Sequence, residues 1–204
     1  MTTNTKIKIC GLSRERDIDV ANQYLPDYVG FVLHYPKSRR YISVERAQEL
    51  GRLLNPGISI VGVLVDQPLE TAVSLLNERV IDIAQLHGSE DEDYIRALKE
   101  RTGKPVWKAF QIHTPEDVAA AKASSADMLV LDSGMGSGES FDWSLIADFD
   151  RPYFLAGGIN PQNAVRCVKQ LHPYGIDLSS GVETKGVKDK SKIASVIHSV
   201  RGMK

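Results

Sequence analysis

The chain of 204 residues is poor in several things that would each define a class. Cysteine occurs twice, as Cys10 and Cys167, too few for a disulfide framework, so reduced thiols and a cytoplasmic location are expected. No apolar run approaches the roughly 18 residues a membrane helix needs. The opening "MTTNTKIKI" has no apolar signal-peptide core. Neither sign of charge dominates: 25 Lys and Arg against 26 Asp and Glu leave a net charge of −1. That balance gives no general electrostatic reason to expect nucleic acid or an anionic membrane as a partner. No Cys/His cluster has zinc spacing, no G-x-x-x-x-G-K-[ST] loop is present, and "CGLSRER" lacks the glycines of a dinucleotide fingerprint. A small anionic ligand would need a local site instead.

What is present is a repeat of short apolar runs. They fall at 6–9, 28–33, 58–65, 81–86, 105–110, 127–131, 153–156 and 175–178, mostly rich in Val, Ile and Leu as buried parallel strands are. Most gaps between them carry helix signals. Ser13 and Ser43 stand as N-caps before amphipathic stretches. "SEDEDYIRALKE" places acids first and bases last, matching the helix dipole, and "NPQNAVRCVKQL" starts on Asn160-Pro161. The sixth gap offers only "FDWSLIAD". Strand then helix, eight times over, predicts an α/β fold, a single (βα)8 TIM barrel spanning 1–204 as one catalytic domain. The rival is an open doubly wound sheet, whose usual glycine fingerprint is missing.

In a barrel, function sits where strands end. The first strand ends on Cys10, and alternation sends Ile7 and Ile9 outward under the helices, leaving Lys8 and Cys10 inward. A nearby ammonium favours thiolate, and a bound phosphate would oppose it. The bland alternative is a small buried thiol, as Cys167 on a helix would be. The loop "HYPKSRRYIS" holds Lys37, Arg39 and Arg40, and an arginine there can grip a carboxylate by two hydrogen bonds. Gln85 and His87 share a face of the fourth strand. Asp132 ends an otherwise apolar strand, where desolvation can make a carboxyl an acid, or where it only anchors a loop. Asp177 on the eighth strand competes for that role.

The turns after strands seven and eight are glycine-rich: Gly157, Gly158 and Asn160 in one, Ser179, Ser180 and Gly181 in the other. Either alone reads as a tight connection. Both together, in these places, predict a phosphate site.

The stretches "KICGL", "VGFVLHYPKSRRYIS", "AQLHG", "LVLDSGMGSGESFDWSLI", "FLAGGINPQNA" and "IDLSSGVETKGVKD" together resemble the phosphoribosylanthranilate isomerase family over essentially the whole chain. The first half of "SGMGSGES" departs from any fixed family motif. The resemblance implies an Amadori rearrangement of N-(5-phosphoribosyl)anthranilate to 1-(2-carboxyphenylamino)-1-deoxyribulose 5-phosphate in tryptophan biosynthesis. It implies Asp132 as general acid, Cys10 as general base, Arg40 on the anthranilate carboxylate and the phosphate on the two glycine turns. It implies no cofactor and no metal, and a monomer or homodimer. A histidine-pathway Amadori isomerase is the enzyme alternative, but that family has an aspartate where this chain has Cys10. A non-catalytic phosphate-binding barrel is the third reading.

Overall fold

A computed structural model of the chain describes residues 5–132 and 143–203. Eight parallel strands form its centre: β1 Lys6–Cys10, β2 Tyr28–Leu33, β3 Ser59–Leu64, β4 Ile83–Leu86, β5 Val106–Gln111, β6 Met128–Asp132, β7 Tyr153–Ala156 and β8 Gly175–Leu178. Each pairs with the next, and β1 pairs with both β2 and β8. The ring is therefore closed, which excludes the open sheet. Register at the closure sets Lys8 opposite Tyr28 on one side and Asp177 on the other.

Seven helices cover the ring: α1 Glu15–Tyr24, α2 Val44–Leu53, α3 Leu69–Asn77, α4 Glu92–Thr102, α5 Pro115–Ala123, α6 Ala164–Leu171 and α7 Lys190–Arg201. Their starts follow local chemistry. Ser43 Oγ accepts from Arg46 N at 3.2 Å. Thr114 and Asp117 cap one another's backbone ahead of α5. Helix α4 has Glu92 and Asp93 in its first turn, Lys99 and Arg101 in its last, and ends on Gly103 at φ +62°.

Three local expectations are corrected. Helix α1 starts at Glu15, not on a Ser13 cap, because the Asp17 carboxylate accepts both Ser13 N at 3.1 Å and Arg14 N at 3.0 Å. Helix α6 starts at Ala164, beyond Asn160-Pro161. The Asn163 Oδ1 accepts Asn160 N at 2.8 Å and the Asn160 Oδ1 accepts Gln162 N at 2.9 Å, so side-chain turns use the amides that a helix would have left free. Between β6 and β7 the described residues hold only a 3-10 turn, Trp143–Ile146, in place of a sixth α-helix. The loop 133–140 and the start of "FDWSLIAD" lie outside the described residues.

Two apolar layers result. Outside the ring, Ile7, Ile9, Phe31 and Leu64 pack under the helices. Inside it, Val61, Ile83, Trp107, Ala109, Val130, Phe154 and Ala156 form the barrel's own core, with Tyr28 and Met128 against it. Gly175 leaves the room that the Phe154 ring occupies. The polar side chains gather where the strands end.

Candidate active site

A cavity of about 490 Å³ opens at the C-terminal ends of the strands. On its wall are Cys10, Arg40, Gln85, His87, Asp132, Gly157, Gly158, Asp177, Ser179, Ser180 and Gly181. Two other expected site residues are off the wall. Lys8 is fully buried beneath the cavity, and Asn160 is spent on its turn, with Nδ2 donating to Gly158 O at 3.0 Å.

Cys10 ends β1, and Gly30 on β2 is its neighbour. A methyl at Gly30 would stand 2.7 Å from Cys10 Sγ, so the missing side chain is what gives the sulfur room. Lys8 Nζ donates to Asp177 Oδ2 at 2.6 Å, with side-chain exposures of 0% and 7%. Burial lowers the Lys8 pKa, but Asp177 and Cys10 outweigh it and the net shift is up. For the Cys10 thiol, burial pushes up, Lys8 and Lys188 pull down, Asp177 adds to burial, and the net shift is up. The neutral thiol is thus favoured at rest, and the adjacent ammonium alone does not decide its state.

Across the mouth, His87 Nε2 lies 3.9 Å from Asp132 Oδ2. Burial holds the His87 pKa below its usual value, against the opposing pull of Asp132. Its backbone N donates to Leu64 O at 2.8 Å, which ties the end of β4 to β3. Gln85 is buried on the same wall, and its Oε1 has no hydrogen-bond partner among the described residues; nor does Asp177 Oδ1. Such atoms are costly to bury unless something fills their lone pairs.

The two glycine turns meet. Gly157 and Gly158 have φ of +88° and +61°, open to glycine and strained for other residues. Any side chain on Gly181 would run into the carbonyl of Ile159, so the turn after β8 lies backbone to backbone against the turn after β7. The surface they share is bare peptide and hydroxyl.

Sequence reasoning missed several residues here. Val32, Val63, Val65, Val130, Ala156 and Ile159 give the cavity apolar walls, and Tyr35, Ser38 and Gln111 add polar ones. The inward phase of β2, β3 and β6 would have found Val32, Val63 and Val130. Glu183 carried no signal, since only the folded chain brings it to the arginine loop. Among the described residues no group of His, Cys, Asp and Glu could hold a metal ion, and no helix is long and apolar enough to cross a membrane.

Residues 7–199 match the family model described as N-(5'phosphoribosyl)anthranilate (PRA) isomerase. A curated relative from Endomicrobium trichonymphae, named N-(5'-phosphoribosyl)anthranilate isomerase, is 44% identical over 97% of this chain and 99% of its own. A crystal structure of phosphoribosyl anthranilate isomerase in complex with reduced 1-(o-carboxyphenylamino)-1-deoxyribulose 5-phosphate superposes with a TM-score of 0.86 at 34% identity, covering 98% of this chain and 100% of that one. Monomers generated from the dimeric enzyme of Thermotoga maritima give a TM-score of 0.86 at 35% identity, with the same coverage.

Proposed function

Because the chain belongs to the N-(5'-phosphoribosyl)anthranilate isomerase family, it is an isomerase, and we propose that Cys10 and Asp132 carry the proton transfers of its Amadori rearrangement. The observation that supports this most is the meeting of four unlike groups at one mouth: a thiol, a carboxyl, a guanidinium and a paired glycine turn. An aminoaldose bearing a phosphate and a carboxylate needs all four.

The phosphate end lies on the turns Gly157–Gly158 and Ser179–Gly181, where backbone approaches closely. The anthranilate carboxylate goes to Arg40, and the apolar wall of Val32, Val63 and Val130 takes its ring. Asp132 gives a proton to the ribose ring oxygen, the C1'–O bond breaks, and a Schiff base forms. Cys10 as thiolate then takes the proton from C2', and the resulting enolamine becomes the ketose on reprotonation at C1' and loss of the 2'-hydroxyl proton. Cys10 and Asp132 stand at the ends of β1 and β6, with β7 and β8 between them, so they address the sugar from different sides. The unpartnered Asp177 Oδ1 and Gln85 Oε1 supply acceptors for sugar hydroxyls.

The test follows the fluorescence of the anthranilate adduct as it is consumed. Cys10→Ala and Asp132→Asn should each lower kcat by about 10²- to 10⁴-fold, the usual range for a lost general acid or base. Full rate in both variants, or no turnover by the unaltered protein, would overturn the assignment.

A further inference from the structure

Glu183 has no part in the scheme above, yet it is the most heavily engaged carboxylate of the described mouth. It follows β8 on a short antiparallel hairpin, Glu183–Thr184 against Val187–Lys188. Its side chain is 4% exposed. Arg40 approaches it with one edge, Nε to Oε1 at 2.7 Å and Nη2 to Oε2 at 3.0 Å. Arg39 Nη2 donates to Oε2 at 2.6 Å, and Lys188 Nζ to Oε1 at 2.7 Å. Three cations thus share one anion, and the cluster keeps a net positive charge. Burial pushes the Glu183 carboxyl up, but the bonds from Arg40 and Lys188 outweigh it and hold the pKa below the ordinary carboxylate value.

The cluster is anchored at both ends. Lys188 Nζ also donates to Ser179 O at 3.0 Å, and Ser179 Oγ donates to Cys10 O at 3.2 Å. On the other side, the Arg40 stem lies over Gly11, where any side chain would overlap its Cδ. Arg40 N is held by Ser38 Oγ at 3.2 Å. Stem, backbone and one edge of the guanidinium are therefore fixed. The remaining nitrogen, Nη1, has no hydrogen-bond partner among the described residues, and Arg40 lines the cavity.

We propose that Glu183 is the positioning residue of the carboxylate end of the site, holding the Arg40 guanidinium by one edge so that its free edge meets the substrate carboxylate. The proposal rests on the reading that Arg40 takes that carboxylate. The physical reason is preorganisation. A planar fork held on one side loses little freedom when a second carboxylate docks on the other. The surplus positive charge means that Glu183 orients Arg40 without cancelling its attraction for an anion.

Steady-state kinetics of Arg40→Met, Glu183→Gln and their combination test it, together with inhibition by anthranilate and by inorganic phosphate. Arg40→Met should raise KM by about a hundredfold and Glu183→Gln by about tenfold, as expected for a lost charged hydrogen bond and a lost orientation. Glu183→Gln should leave kcat within about twofold, weaken inhibition by anthranilate and leave phosphate inhibiting no less well. In the Arg40→Met background Glu183→Gln should add nothing. A general loosening would weaken both inhibitors and lower kcat, and that result overturns the proposal. A KM rise in Arg40→Met with none in Glu183→Gln overturns the proposal alone. No change in Arg40→Met overturns the Arg40 reading and the proposal with it. Should Glu183→Gln not fold beside three cations, Arg39→Gln/Glu183→Gln removes one of them and carries the same readouts.

Discussion

The floor of this barrel and the layer just beneath its mouth both keep large side chains from water, and they are built on opposite terms. At the floor, Tyr28, Trp107 and Phe154 fill the ring with aromatic carbon. Trp107 and Phe154 stack with centroids 4.7 Å apart, and Tyr28 meets both edge-on at 5.0 and 5.5 Å. Such packing is favourable in itself. Just beneath the mouth, the same ring holds Lys8, Asp177 and Gln85 out of water, and two of their acceptor atoms lack a partner among the described residues. Apolar side chains of similar size would cost less there. The difference shows where the fold has been built for stability and where it carries charge for another end.

Breaking the mouth's ion pair should have the largest effect. Lys8→Met strands Asp177 without its partner and should destabilise the protein by about 3–5 kcal/mol in urea unfolding. Lys8→Met/Asp177→Leu, which makes that layer of the mouth resemble the floor, should recover most of the stability and not the turnover. If the double variant stays as unstable as the single one, the two ends differ less than claimed.

Phe154→Ala empties the floor. It should cost a comparable amount, about 3–5 kcal/mol, since the aromatic neighbours only partly collapse into the space. Here kcat/KM of the folded fraction should stay within a few-fold of the original. A loss of turnover as large as that of Cys10→Ala would mean that the floor is part of the catalytic machinery.

The smallest effect is one of pH. Cys10 is held above the ordinary thiol value, so the thiolate is scarce at neutral pH and grows as pH rises. The rate of alkylation of Cys10 by iodoacetamide should therefore climb by about tenfold per pH unit from neutral pH and level off only above the usual thiol range, whereas kcat/KM also carries the loss of the Asp132 proton. Asp177→Asn removes a charge that favours the protonated thiol, which moves the limb to lower pH. An alkylation rate that is flat with pH, or a limb that moves upward in Asp177→Asn, would mean that burial and Asp177 do not hold the Cys10 thiol up.

Much of this was legible in the chain. The eight strands announce themselves as apolar runs because parallel strands in a barrel are covered on both faces. Ile7 and Ile9 against Lys8 and Cys10 show the inside and outside of β1 by alternation alone. The site was readable because barrel function gathers at strand ends, so Cys10, Asp132, Gly157 and Ser179 could be named before any fold was drawn. Helix starts were less legible. Ser13 yielded to Asp17 because a carboxylate outcompetes a hydroxyl for two neighbouring amides. Asn160 looked like a helix start, yet its turn is closed by the asparagine three residues on.

Composition and pattern by themselves determine the barrel and which side chains end its strands. These follow from local rules: the two-residue period of strands, the 3.6-residue period of helices, and the glycine that a tight turn requires. Tertiary structure alone decided the partners. Glu183 lies 143 positions from Arg40 and Asp177 lies 169 from Lys8, and nothing local marks either as a pair. The reason is physical. A buried charge is tolerated only beside an opposite one, and which opposite charge stands beside it is settled by the closure of the ring, not by neighbours in the chain.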